Sequence, residues 1–165
     1  MEEYWDLFDS SRQPLHRTIR RGDSIPEGEY HIVVQIWTIN DKGQILMTKR
    51  HPTKPYGSTW ECTGGSVLAD ETSLEAARRE YSEEIGITLN QDSFHFLTSR
   101  MGNRCFYDIY YVRKNLNLSE LKLQEEEVTD ACWYSMDEYL ELCSKEIVVF
   151  SARNLAQLLQ EYHID

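Results

Sequence analysis

The chain is short of positive charge. Its 17 Lys and Arg stand against 28 Asp and Glu, a formal net charge of -11. Such a surface repels polyanions at long range, which argues against a nucleic-acid polymer or an anionic membrane as partner. Long apolar runs are missing too: no stretch reaches the roughly 18 residues that a membrane-spanning helix needs. Cysteine is scarce, and the four present (Cys62, Cys105, Cys132, Cys143) form no CxxC pair and no zinc-like spacing. The first ten residues, MEEYWDLFDS, are acidic and lack the basic-then-apolar pattern of a secretion signal. Reduced thiols and a cytoplasmic location are therefore expected. Internal repeats and low-complexity tracts are absent as well.

What is present fits one domain over residues 1–165, a length that buries a single core. Residues 1–29 are polar, with Gly22, Pro26 and Gly28 as breakers, and read as an arm or hairpin ahead of the core. The run YHIVVQIWTI (30–39) is rich in β-branched and aromatic residues and reads as a strand. Asn40, Asp41, Lys42 and Gly43 make a turn, and QILMTKR returns as its hairpin partner. Residues 51–59 form a loop, and WECTGG a short strand ending in a glycine turn. Residues 71–84 read as a helix stopped by Gly86. Strands recur at FHFLTSR, CFYDIYYVR and VTDACWYS, and helices near 137–144 and 151–162 close the chain. Strands on both sides of one central helix predict an α+β sandwich on a mixed sheet rather than a doubly wound fold.

The chemistry lies in GSVLADETSLEAARREYSEEIGI, residues 65–87. Each helical residue advances about 100°. With Glu80 at zero, Glu84 falls at about 40° and Glu83 at about -60°, so three carboxylates share one stripe. Leu74, Ala77, Tyr81 and Ile85 form an apolar edge beside it. The like charges repel, and Glu83 and Glu84 sit where the helix dipole disfavours anions. A hard divalent cation removes both penalties, and Mg2+ prefers oxygen ligands beside a substrate diphosphate. Arg79 is placed to pair with Glu71 or another carboxylate and fix its direction. The plain alternative is a solvated acidic face.

The same stretch resembles the signature of the Nudix hydrolase superfamily. Gly65, Glu71, Arg79, Glu80, Glu83, Glu84, Gly86 and Ile87 match at the required spacing, with Tyr81 in a slot that is more often aliphatic. The resemblance implies an α/β/α sandwich with the signature as a loop–helix–loop. It further implies Mg2+ or Mn2+ held by Glu80, Glu83 and Glu84, joined by the Gly65 carbonyl, with Arg79 and Glu71 as supports. The implied reaction is hydrolysis of a small-molecule diphosphate, such as a nucleoside diphosphate derivative, with Glu83, Glu84 and Arg79 in the catalytic set. Leu68 and Asp70 depart from the pattern of many members that act on nucleotides, which carry Glu and Gly there.

WDLFD, RRGDSIPEGEYHIVVQIW and WECTGGSV also resemble a bacterial subgroup labelled similar to isopentenyl-diphosphate isomerase. His31 matches one metal-binding His of the true isomerases. ECTGGSV, however, lacks the catalytic Cys and the further His expected after Trp60, so an isomerase ranks second. A non-catalytic ligand-binding module ranks third, because such modules typically lose signature carboxylates. Glu127, ahead of Trp133, is the candidate for an additional metal ligand or general base, against a solvated loop. Arg50, at a strand end, is the candidate for gripping a substrate phosphate with its planar fork. Trp37, Trp60, Trp133 and Tyr110 are expected in the core, and Cys62 as a small buried thiol. The sequence does not distinguish a monomer from a homodimer.

Overall fold

Residues 2–164 are described by the computed structural model; Met1 and Asp165, the ends of the expected 1–165 domain, lie outside the described residues. A hairpin of β1 (Tyr4–Phe8) and β2 (Pro14–Arg20) comes first. Strands β3 (His31–Ile39), β4 (Ile45–Arg50), β5 (Trp60–Glu61) and β6 (Thr63–Ser66) lead into helix α1 (Ser73–Ile85). Then follow β7 (His95–Met101), β8 (Cys105–Arg113), β9 (Val128–Tyr134), α2 (Met136–Ser144) and α3 (Leu155–Glu161).

Period-two alternation along the central strands creates the layers. Ile32, Val34 and Ile36 of β3, with Phe106, Tyr110 and Val112 of β8, enter one core. There they meet Ala76, Ala77, Tyr81 and Ile85 of α1. Trp37 and Ile109 face the other way and pack with Met47, Trp60, Tyr139, Leu155 and Leu158 under α2 and α3. The result is an α/β/α sandwich on a mixed sheet, α+β in class. β3 and β8 run parallel; among the described residues the other strand pairs of that sheet are antiparallel.

The expected β3–β4 hairpin exists only at its turn. Two pairs, Thr38 with Leu46 and Ile39 with Ile45, join the strands before they diverge. Into that fork the chain inserts β6 against β3, from Val33 to Ile36, and β5 against β4 at Thr48 and Lys49. The segment WECTGG is thus two strands broken at Cys62, and its glycines lie within β6 rather than in a terminal turn. Close approach is the reason. A Cβ on Gly64 would stand 2.2 Å from the Val34 carbonyl oxygen.

Helix α1 starts at Ser73, later than the predicted residue 71, because Thr72 takes the N-cap. At the C-terminus, the helix predicted over 151–162 divides into a short 3-10 turn, Phe150–Ala152, and α3. Trp37, Trp60 and Tyr110 are buried; Trp133 is half-buried and donates its indole N–H to the Leu116 carbonyl at 3.1 Å. Tyr81 is fully buried with its hydroxyl 3.0 Å from Thr38 Oγ1, so the polar tip of this unusual core residue is satisfied. The four cysteines are free thiols. No helix among the described residues is long and apolar enough to cross a membrane.

The N-terminal hairpin is strapped down at three places. Arg12 forks onto Asp108 of β8, with both N–O distances 2.6 Å. Trp5 stacks on His31 with ring centroids 4.2 Å apart. The Tyr4 carbonyl and the Asp6 carboxylate accept the backbone N–H groups of Ala69 and Asp70, on the loop that enters α1.

Candidate functional site

Helix α1 is pinned at both ends, which fixes the directions of its acids. Thr72 and Glu75 form a reciprocal capping box, a device that contributes about 1 kcal/mol. Gly86 closes the helix in the left-handed region at φ 72°, a conformation that costs glycine nothing. Glu71 lies just outside the helix. Its two oxygens receive the Arg79 Nε and Nη2 at 2.8 and 2.9 Å, and Oε2 also accepts the Leu68 N–H. Arg79 Nη2 reaches the Ser66 carbonyl as well, at 3.0 Å, so one guanidinium ties the entering loop and β6 to the helix.

The remaining nitrogen of Arg79 opens out the acidic stripe. Nη1 donates to Glu80 at 2.7 Å and to Glu83 at 3.1 Å, so two of the three carboxylates already have a cationic partner. Glu84 is different. It is 7% exposed, and the Gly64 N–H donates to its Oε2 at 3.2 Å. Burial, then the negative charges of Glu61 and Glu80, push its carboxyl well above the ordinary range. Glu80 is also raised by burial, with Arg79 working against the shift. Its carboxylate lies against β6 so closely that a Cβ on Gly65 would meet it at 2.2 Å. Glycine at 65 therefore makes room for the acid.

These groups line a cleft of about 250 Å³. Arg79, Glu80, Glu83 and Glu84 form one wall, and Gly64 and Gly65 lie between them and β3. Arg50 and Glu127 approach from the other arm of the fork. The fork of Arg50 is engaged within the protein: Nη1 lies 2.7 and 2.8 Å from the two Glu61 oxygens, and Nε donates to the Pro55 carbonyl at 2.8 Å. Glu127 pairs with Lys54. Glu71 supports the cleft from behind without lining it. Among the described residues, no group of three or more His, Cys, Asp or Glu side chains is gathered as a ready cation cage. The donor set is nevertheless all oxygen, the chemistry of Mg2+ and Mn2+.

Three charged residues in or near the cleft have no site role in the sequence reading. Glu61, the partner of Arg50, is a mostly buried acid in a strand, and a lone charge beside apolar neighbours was its available signal. Glu3 and Arg21 come from the hairpin and enter the cleft together. Their meeting depends on the β1–β2 register, which sets Tyr4 opposite Arg20, and no local pattern announces it.

A second cavity of about 300 Å³ shares Val33, Gly64 and Gly65 as walls with the first. Gln35 donates Nε2 to the Ser151 carbonyl at 3.1 Å, which leaves its buried Oε1 without a partner among the described residues. The Nδ1 of His31 is likewise buried and unpartnered. Burial holds His31 neutral at pH 7, its pKa brought down to about 4. Cys62 lines the same cavity, with burial pushing its thiol well up and out of reactive range.

The family model of the NUDIX domain matches residues 29–157. An uncharacterized Nudix hydrolase of Listeria monocytogenes is 37% identical over 140 residues, spanning 84% of this chain and 82% of that protein. The crystal structure of DR0079 from Deinococcus radiodurans covers 98% of this chain and 99% of its own, with a TM-score of 0.77 at 22% identity. The Nudix domain of NrtR from Shewanella oneidensis, solved in complex with ADP ribose, gives a TM-score of 0.63 at 14% identity, over 80% of this chain and 87% of that one. The two structures speak for the fold.

Proposed function

The chain belongs to the Nudix family, and from that premise we propose that it hydrolyses the diphosphate linkage of a small molecule with Mg2+ or Mn2+. Glu80, Glu83 and Glu84, with the Gly65 carbonyl, would hold the cation. One observation carries this assignment. Glu84 is a buried carboxyl faced by Glu80 and Glu61, with one backbone N–H as its recorded hydrogen-bond partner. Such a group must take up either a proton or a cation. When bound, the metal supplies polarisation of the diphosphate and an acidified water.

The chain's own residues supply orientation. Glu71 anchors Arg79, and Arg79 holds the Glu80 and Glu83 side chains at the cleft wall. Glu127, tied to Lys54 at the cleft, is the candidate to accept a proton from the attacking water. Nucleoside diphosphate derivatives are the proposed substrate class; the ADP ribose bound by the related Nudix domain of NrtR belongs to it.

An isomerase acting on a prenyl diphosphate fits less well. A hydrocarbon in the second cavity would leave Gln35 Oε1 and His31 Nδ1 unpaired, and Cys62 is a buried, protonated thiol. A purely binding module is also disfavoured, because every signature carboxylate is present.

The test is a metal-dependent screen of diphosphate compounds with product identification, run on wild-type protein and on Glu83→Gln. The variant is expected to fold normally and to lose about a hundredfold or more in turnover. Wild-type turnover by the variant would refute the site.

A further inference from the structure

Three arginines line the acidic cleft, and they differ in how far their donors are already committed. Arg79 is held by Glu71, Glu80, Glu83 and the Ser66 carbonyl. Arg50 is held by Glu61 and the Pro55 carbonyl. Arg21, at the end of the N-terminal hairpin, has a single recorded side-chain partner, Glu3, at 2.6 Å. That pair is open to water, with the two side chains 54% and 40% exposed. Exposed ion pairs contribute little to stability, so an incoming anion displaces one easily. A phosphate offers the same fork better matched, with more charge. Arg21 also lies within electrostatic reach of Glu80 and Glu127, which places its charge toward the metal-ligand wall rather than away from it.

We propose that Arg21 is the residue that receives a phosphate of the substrate, and that Glu3 guards it as a competing carboxylate released when substrate enters. The inference rests on the diphosphate reading of the cleft and extends it to the hairpin. The role expected of Arg50 thereby passes to a residue outside the 29–157 span of the family match. Arg50 instead holds Glu61, whose negative charge acts on Glu84.

Glu3 gives the proposal an unusual sign. Removing the arginine and removing its guard must act in opposite directions if the pair is a gated phosphate site. They must act alike if the pair merely shapes the hairpin.

The experiment is calorimetric titration of the full chain with methylenediphosphonate in the presence of Mg2+, a probe that cannot be hydrolysed. Arg21→Ala is expected to weaken binding about tenfold or more, Arg21→Lys to fall between it and wild type, and Glu3→Gln to tighten binding about twofold to threefold. Melting curves confirm that each variant is folded. Binding by Arg21→Ala within twofold of wild type overturns the proposal. Equal weakening in Arg21→Ala and Glu3→Gln overturns it too. Hydrolysis of a nucleoside diphosphate panel, followed in parallel, separates this outcome from failure of the hydrolase assignment. Arg21-dependent binding without turnover refutes the hydrolase and keeps the site, whereas turnover with Arg21-independent binding does the reverse.

Discussion

Among the described residues two carboxylates, Asp108 and Glu84, lie almost wholly inside this protein, and they are kept there by opposite means. Asp108, on β8, is 1% exposed and receives both arms of the Arg12 guanidinium. Glu84, on α1, is 7% exposed and receives one backbone N–H while facing further negative charge. The first is an ion pair completed within the chain, and its consequence is mechanical, since it clamps the hairpin to the sheet. The second is left incomplete by the chain, which is the ground for the cation proposed to bind there. Burial alone therefore does not separate structural from functional acids. The partner does.

The largest effect that would break the comparison is at Glu84. Glu84→Gln is expected to cost about a hundredfold to ten-thousandfold in metal-dependent turnover while raising the melting temperature of the metal-free protein, because it removes a charge with no internal partner. A variant that is both active and less stable would make Glu84 a structural acid like Asp108.

The next effect is a pH dependence with two opposed limbs. His31 has a folded pKa of about 4 against an unfolded value of about 6.5. Its neutral burial contributes stability that is complete above pH 6.5 and is lost as pH falls toward 4, about 3 kcal/mol in all. Glu84 works the other way. Its folded pKa is raised, so without metal its contribution is greatest below the unfolded carboxylate value of about 4.3 and declines as pH rises through the folded value. Chemical denaturation in EDTA across this range should show the acid limb flattened by His31→Gln and the other limb flattened by Glu84→Gln or by added Mg2+.

Arg12→Met tests the opposite member of the pair. It strands Asp108, and a loss of about 2 kcal/mol is expected, below the figure for a fully buried pair because Arg12 keeps a third of its surface in water. Urea melts measure it. The smallest effect belongs to Tyr81→Phe, which leaves the buried Thr38 hydroxyl unpaired and should cost about 1 kcal/mol by the same melts. No change would mean that the hydroxyl in this normally aliphatic slot carries no stability.

Elements whose signals are local were legible in the sequence. β3 announces itself by a run of β-branched residues, and α1 by its acids and Gly86. The acidic stripe is legible as a spacing and Arg79 as a partner for Glu71 or another carboxylate, whereas the sharing of one guanidinium among Glu71, Glu80 and Glu83 at once is not. The fork between β3 and β4 was missed for a related reason. Strand propensity gives the segments and the turn, whereas the insertion of β5 and β6 depends on how near Gly64 can come to Val34. Arg50 reads as a grip for substrate phosphate because its partner Glu61 is 11 residues away on another strand. Arg21 carries no site signal of its own in the sequence, since a register between two short strands delivers it.

The three straps of the N-terminal hairpin have a practical reach. Someone trimming the chain to the 29–157 span of the family model would keep the acidic helix whole. The same cut would uncover the ring of His31, free the backbone N–H groups of Ala69 and Asp70, and strand Asp108. Substrate searches on such a fragment would sample a wider mouth that has lost both Glu3 and Arg21, and would favour ligands that need no grip from the hairpin.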